Sequence, residues 1–184
     1  MPREKRILWN LVGAFLFCIS LIKVFDIFNV GHDRSFQAME GFYREKKNSL
    51  DAVYIGGSNV HAFWEPPIGW NDGGIAVWSL SMDSMPGNAI KYLISEARKT
   101  QPNALYIINI NAFKQPAMDV NYVMIHRVVD YMRFSPEKIK QINSLSDWAG
   151  IPLLVRLEFL FPIIRFHSRW AGLNTWDFTH TVMD

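Results

Sequence analysis

The chain has 184 residues, of which 49% are apolar and 14% aromatic, and its formal net charge is +2. This length suffices for one domain with an appendage, and the apolar content suffices for a sizeable core. The near-neutral charge, without any long basic run, argues against a nucleic-acid-binding protein. The single cysteine, Cys18, excludes a framework of intrachain disulfides.

The first 30 residues predict a transmembrane signal anchor. A short basic flank, residues 2–6, precedes a mainly apolar stretch from Ile7 to Val30, which is long enough for a span of roughly 20 residues. A secretory signal peptide and a buried soluble helix are the alternatives, but no small-residue cleavage site follows the apolar core. Because the basic residues precede the span, the positive-inside rule places the N-terminus in the cytoplasm and the domain outside. We therefore expect a single-pass protein of the cell membrane, with the lipid bilayer as a partner.

An α/β pattern follows the anchor. We interpret residues 31–48, which are polar and mixed, as a juxtamembrane connector, and residues 49–184 as one α/β domain. Short apolar runs bounded by turn residues are typical of buried parallel strands, and three are present, at residues 52–55, 75–80 and 105–110. Between the second and third runs, Ser84 as N-cap and Pro86 in the first turn predict a helix. Strand, helix and strand in this order predict a right-handed parallel crossover.

The pattern turns helical after residue 119. Residues 120–132 form one candidate helix, and Ser135 followed by Pro136 predicts the start of another. A third apolar segment, residues 151–170, contains Pro162, which should kink or break a helix.

Candidate functional residues follow the strands, because functional groups of parallel sheets cluster beyond the carboxyl ends. The first end reads Gly56-Gly57-Ser58. Glycines let the backbone turn sharply and let a substrate approach, and the serine backbone N–H can help to hold an oxyanion. An ordinary strand-to-helix turn with a serine cap has the same sequence. No glycine-rich phosphate motif, Walker loop or G-x-S-x-G elbow is present, which argues against a nucleotide-binding domain.

Residues 48–58, NSLDAVYIGGS, resemble the first block of the SGNH/GDSL hydrolase superfamily, and most of all its membrane-anchored, DltD-like branch. That branch reads Asn-Ser-x-Asp-Val-x-x-x-Gly-Ser-Ser-His there, so Gly57 and Asn59 depart from the pattern. Residues 129–138 and 166–178 resemble later segments of the same branch. The resemblance implies a three-layer, flavodoxin-like α/β domain with a parallel sheet, of which this chain holds the N-terminal portion, and it places the nucleophile at Ser58.

The resemblance also implies an oxyanion hole. The second block of the family offers a backbone N–H after the second strand, and Ser81 holds that place. The third block offers an asparagine side chain, and Asn111 is the better-placed candidate because Asn109 lies within the predicted strand. A turn-forming asparagine is the alternative.

A serine hydroxyl needs a base to accept its proton, which the family supplies as a histidine three residues after an aspartate near its C-terminus. Asp177 and His180 have this spacing and are weak acid–base candidates, since Asp177 aligns better with a mid-chain segment of the branch. The chain is expected to stop before the catalytic block. His61, one helical turn after Ser58, is expected to face the surface of its helix. No Cys/His/Asp cluster has metal spacing, so we expect neither a metal nor another cofactor.

These residues together predict an extracytoplasmic, membrane-tethered serine esterase or O-acyltransferase that acts through an acyl-enzyme. The expected substrate is an ester of a lipid or cell-envelope glycan, and a membrane-bound acyltransferase is an implied partner. The alternative is a catalytically inactive or truncated relative that serves as an envelope partner protein.

Overall fold

The computed structural model describes residues 2–28, 33–63, 66–114 and 120–179. These residues form two compact units: the residues before position 30 together with those after position 160, and the residues from 33 to 160. The domain boundary expected at residue 49 therefore falls inside the second unit. Residues 161–179, expected in the α/β domain, belong to the first unit.

The regular elements alternate between helix and strand in the first half of the second unit. The strands are β1 (Ala52–Gly56), β2 (Val77–Ser81) and β3 (Leu105–Ile108). The helices of the described residues are α1 (Arg3–Phe28), α2 (Arg34–Arg44), α3 (Ser58–Phe63), α4 (Pro66–Gly73), α5 (Ile90–Ala97), α6 (Tyr122–Val129), α7 (Pro136–Trp148), α8 (Arg156–Leu160), α9 (Pro162–Phe166) and α10 (Thr175–Thr179). Short 3-10 helices are found at Gly87–Ala89, Ile110–Phe113 and His167–Gly172.

In the first unit, α1 is long and apolar enough to cross a membrane. The apolar part runs from Arg3 to Val24, 22 residues, which at 1.5 Å per residue extend about 33 Å, close to the roughly 30 Å of a bilayer's hydrocarbon core. Side chains from residue 2 to residue 23 are exposed. The expected apolar N-terminal helix is thus confirmed by length and composition.

The three strands form one parallel sheet in the order β2-β1-β3. Val53 pairs with Trp78 on one side and with Tyr106 on the other. The predicted α/β class with a parallel sheet is confirmed, and the carboxyl ends of β1 and β2 lie side by side because Gly56 pairs with Ser81.

One face of the sheet carries the core. Val53 and Ile55 of β1 are fully buried on it. Helix α2 packs on the same face, where the indole N–H of Trp78 donates a hydrogen bond to the carbonyl oxygen of Ala38 at 2.9 Å. The α2 helix lies in the segment expected to be a connector, and its side chains Met39 and Phe42 are buried in the core. Helices α2, α5, α6 and α7 complete the core with Met39, Phe42, Leu93, Ile125, Val128, Ile142 and Leu145.

The opposite face is covered over part of its width. Helices α3 and α4 contact β2, and α3 also contacts β1. On β3, Leu105 is 65% exposed and Ile107 is 37% exposed. The expectation that the third strand is buried is therefore wrong. No residue of β3 is buried, and Ile108, which pairs with Ile55 on the core face, is also 40% exposed. On the opposite face, the helices described there lie over the other two strands.

The helix starts follow the local sequence in two cases out of three. Ser135 caps α7, since its hydroxyl oxygen accepts a hydrogen bond from the Lys138 backbone N–H at 3.2 Å, and Pro162 begins α9 after a break from α8. Ser84 does not cap α5. It has a φ of +54°, its hydroxyl accepts from Arg127 at 3.0 Å, and the 3-10 helix Gly87–Ala89 precedes α5.

Candidate functional site

A solvent-open cleft of about 790 Å³ lies beyond the carboxyl ends of β1 and β2. Ser58 is the first residue of α3, two positions after the end of β1, and it is exposed in this cleft. Within the described part of the chain, no residue hydrogen-bonds to the Ser58 hydroxyl. The cleft is lined by Asp33, Arg34, Gln37, Ser58, Asn59, His61, Ala62, Phe63 and Asp83.

The turn between β1 and α3 needs glycine at one of its two glycine positions. A Cβ atom at Gly56 would lie 2.5 Å from the Cβ of Asn109 and 2.5 Å from a methyl of Val60. At Gly57 the nearest neighbour of a Cβ would be the Asn59 side-chain oxygen, at 3.5 Å, an ordinary contact. Close packing thus explains Gly56, whereas position 57 has room for a small side chain.

His61 lies one helical turn after Ser58 and is turned toward the sheet. Its Nδ1 is 3.0 Å from the hydroxyl oxygen of Ser81, and its Nε2 is 3.8 Å from a carboxylate oxygen of Asp83. The side chain is 16% exposed. Contrary to the expectation that it faces the surface of its helix, it points toward Ser81 and Asp83. Ser58 and His61 are three residues apart in the sequence. In a helix this spacing puts both side chains on one face, and it is the sequence feature that indicates that His61 can share the cleft with Ser58.

Ser81 is the last residue of β2 and is buried. Its hydroxyl forms a hydrogen bond with the His61 ring, a contact that the sequence did not predict. The oxyanion role of its backbone N–H stays a prediction.

Three asparagines meet beside the turn between β1 and α3. The side-chain oxygen of Asn109 accepts from the Asn59 amide at 3.2 Å and from the Asn111 backbone N–H at 2.9 Å, while its own amide donates to the Tyr54 hydroxyl at 3.1 Å. Asn59 lines the cleft. Asn111 is exposed and is not among the described residues that line the cleft, so its oxyanion role stays a prediction.

Asp177 belongs to the first unit, where its carboxylate is engaged. One oxygen accepts from the guanidinium of Arg169, and the other accepts from the Asn174 backbone N–H at 2.7 Å at the start of α10. His180 lies outside the described residues. The Asp177–His180 pair therefore stays a prediction, and the structure gives Asp177 a helix-capping contact.

Two buried polar networks lie in the second unit away from the residues that line the cleft. Glu96 accepts hydrogen bonds from Tyr43, Lys99 and Ser135, and burial raises the pKa of the Tyr43 hydroxyl above its usual range. These bonds join α2, α5 and the start of α7, so the network has a structural role.

The second network lies between α6 and α7. His126 and Asp130 form a buried pair with 2.7 Å between Nδ1 and the carboxylate. Burial lowers the pKa of Lys138 to about 8, and its ammonium donates to the Met132 carbonyl at 3.0 Å. Among the described residues, no group of three or more His, Cys, Asp or Glu side chains is placed to hold a metal ion.

No family model, curated protein or solved structure gives a significant match to this chain.

Proposed function

We propose that the chain is a membrane-tethered serine esterase or O-acyltransferase of the SGNH type, with Ser58 as its nucleophile. The observation that carries this proposal is the exposed hydroxyl of Ser58 in a cleft that also holds a histidine and a carboxylate, His61 and Asp83. A serine becomes nucleophilic when a neighbouring base accepts its proton, and both residue types needed for this are within the cleft.

The sheet supports the same proposal. Its order β2-β1-β3 is the order of the first three strands in flavodoxin-like sheets, and ligands of open parallel sheets bind beyond the carboxyl ends of the strands. Ser58 lies at such an end, and Gly56 allows Asn109 and Val60 to pack directly beneath the turn.

The proposed reaction begins with attack of the Ser58 oxygen on an ester carbonyl carbon. The proposed donors to the oxyanion are the backbone N–H groups of Ser58 and Ser81 together with one asparagine side chain, either that of Asn111, which the family resemblance implies, or that of Asn59, which lines the cleft. Collapse of the tetrahedral intermediate releases the alcohol and leaves an acyl group on Ser58. Water or an acceptor hydroxyl then takes the acyl group, which gives hydrolysis or transfer.

The substrate class follows from the proposed location. If residues 2–6 are a cytoplasmic basic flank and α1 is the anchor, the second unit lies on the extracytoplasmic side of the membrane. We infer an ester of a lipid or of a cell-envelope glycan as substrate, and a membrane-bound acyltransferase as a partner that supplies or receives acyl groups.

A second candidate is a non-catalytic envelope partner protein with the same fold. The chain contains one Asp-x-x-His sequence, Asp177 to His180. The carboxylate of Asp177 already accepts hydrogen bonds from Arg169 and from the Asn174 backbone N–H, which favours a non-catalytic role for this aspartate.

A fluorophosphonate probe separates the two candidates. The enzyme proposal predicts that the full chain in detergent is labelled, that Ser58→Ala abolishes the labelling, and that Ser95→Ala, a change at an exposed serine of α5, does not. Absence of labelling in the wild-type chain, with the protein folded, would support the non-catalytic candidate.

A further inference from the structure

We infer that His61 is the general base that accepts the Ser58 proton, an inference that rests on the proposed function. The base would then lie in the same helix as the nucleophile, and the reaction would not depend on a histidine from the C-terminal part of the chain.

The geometry of α3 puts the two side chains on one face. Residues three positions apart on a helix are neighbours, and both Ser58 and His61 line the cleft. A general base acts within hydrogen-bond reach of the proton or through one water, and the contact often tightens only when substrate is bound.

The other charged groups of the cleft are less suited to this role. Asp33 already accepts from the Phe36 backbone N–H at 2.8 Å and from the Tyr131 hydroxyl at 2.8 Å. Arg34 is a guanidinium and does not accept protons. The remaining charged group is Asp83. Its carboxylate lies 3.8 Å from Nε2 of His61, where it can stabilise a protonated imidazole, so we assign the role of base to His61.

The contacts of the ring are compatible with the tautomer that a base requires, because the Ser81 hydroxyl can accept a hydrogen bond as well as donate one. When Nδ1 carries the hydrogen and donates to the Ser81 hydroxyl, 3.0 Å away, Nε2 keeps its lone pair. Nε2 can then accept a proton, and the Asp83 carboxylate at 3.8 Å stabilises the imidazolium that forms. Ser81 thus acts as a positioning residue for His61.

The proton is conserved through the cycle. As the Ser58 oxygen bonds to the carbonyl carbon, its proton moves to Nε2 of His61. That proton passes to the departing alkoxide as the ester C–O bond breaks. In the second half, Nε2 takes a proton from water or from the acceptor hydroxyl and returns it to the Ser58 oxygen when the acyl–serine bond breaks.

The test is chemical rescue of fluorophosphonate labelling in the full chain. In labelling, Ser58 oxygen bonds to phosphorus, fluoride leaves, and the proton goes to the base. We expect His61→Ala to slow labelling by roughly 10²- to 10⁴-fold, the usual contribution of a general base, and added imidazole to restore part of the rate. His167→Ala, at an exposed histidine of the first unit, should label at the wild-type rate with or without imidazole.

A second variant separates a base from a structural residue. His61→Asn keeps a donor for Ser81 but has no basic nitrogen, so it should be as slow as His61→Ala. Labelling of His61→Asn or His61→Ala at the wild-type rate, or a loss in His61→Ala that imidazole does not restore, would overturn the inference. Absence of labelling in the wild type, or retention of it in Ser58→Ala, would instead overturn the proposed function.

Discussion

The imidazole of His61 and the hydroxyl of Ser81 lie 3.0 Å apart, between the helix that follows β1 and the last residue of β2. This contact joins α3, the helix that begins at Ser58, to the carboxyl end of β2. Because Ser81 is buried, its hydroxyl is fixed by the sheet, and the orientation of the imidazole in the cleft is fixed in turn.

Ser81→Ala should therefore slow labelling of Ser58 by about tenfold, which corresponds to about 1.4 kcal/mol, and should lower the free energy of unfolding by roughly 1 kcal/mol for one lost hydrogen bond. The matched control is Ser79→Ala, two residues earlier on the same face of β2, whose buried hydroxyl has no hydrogen-bond partner among the residues that the structure describes. That variant should keep the labelling rate and the stability. Probe kinetics and urea unfolding measure both, and equal effects of the two substitutions would contradict the role of Ser81.

The two glycines before Ser58, Gly56 and Gly57, should respond differently to replacement by alanine. In Gly56→Ala the new methyl group would lie 2.5 Å from Asn109 and Val60, so the free energy of unfolding should fall by roughly 1–3 kcal/mol, as in other overpacked sites. In Gly57→Ala the nearest atom is 3.5 Å away, and stability should change little. Urea unfolding of both variants checks this, and a larger loss in Gly57→Ala would show that the turn is packed differently.

Alanine substitutions at Asn59 and Asn111 distinguish the two candidates for the side-chain donor to the oxyanion. Asn59 lines the cleft and gives one amide hydrogen to Asn109, which leaves the second hydrogen for a ligand. Asn111, the donor that the family resemblance implies, is exposed. We expect Asn59→Ala to lower the labelling rate more than Asn111→Ala does. A loss of roughly 10²- to 10³-fold in Asn111→Ala, the size expected for a lost oxyanion donor, would restore the family's assignment.

Loss of the proton from buried Lys138 should raise the free energy of unfolding of the second unit as the pH rises above 8. Its pKa is lowered by burial from 10.5 to about 8 in the folded chain, so between these values the unfolded chain binds a proton that the folded chain lacks. The free energy of unfolding therefore rises with pH, by about 1–2 kcal/mol from about pH 8 to about pH 9.5 at 1.36 kcal/mol per pK unit.

Urea unfolding at the two pH values measures this rise. Lys138→Met should remove it, whereas Lys140→Met, at an exposed position of the same helix, should keep it. The same rise in both variants would mean that another group is responsible.

The parallel sheet and the place of Ser58 were predictable because they depend on local patterns. Apolar runs bounded by turns predicted β1 and β2 to within two residues of their observed ends, and the cap of α7 by Ser135 depends on residues three apart. Such features need no knowledge of distant contacts.

Tertiary contacts decided the features that the sequence did not predict. The helix α2 has a polar sequence overall, and its place in the core shows in its tertiary contacts: Met39 and Phe42 are buried, and the indole of Trp78 in β2 donates to the Ala38 carbonyl oxygen. Ser84 has the composition of a helix cap, but its hydroxyl bonds to Arg127, 43 residues away. The setting of His61 depends on Ser81, 20 residues further along the chain, which no local pattern contains.

The most direct test of the central claim is to locate the fluorophosphonate adduct by peptide mass spectrometry in the full wild-type chain. We expect one adduct, on the peptide that contains Ser58, and none in Ser58→Ala. An adduct on a different residue, or a folded wild-type chain that stays unmodified, would contradict it.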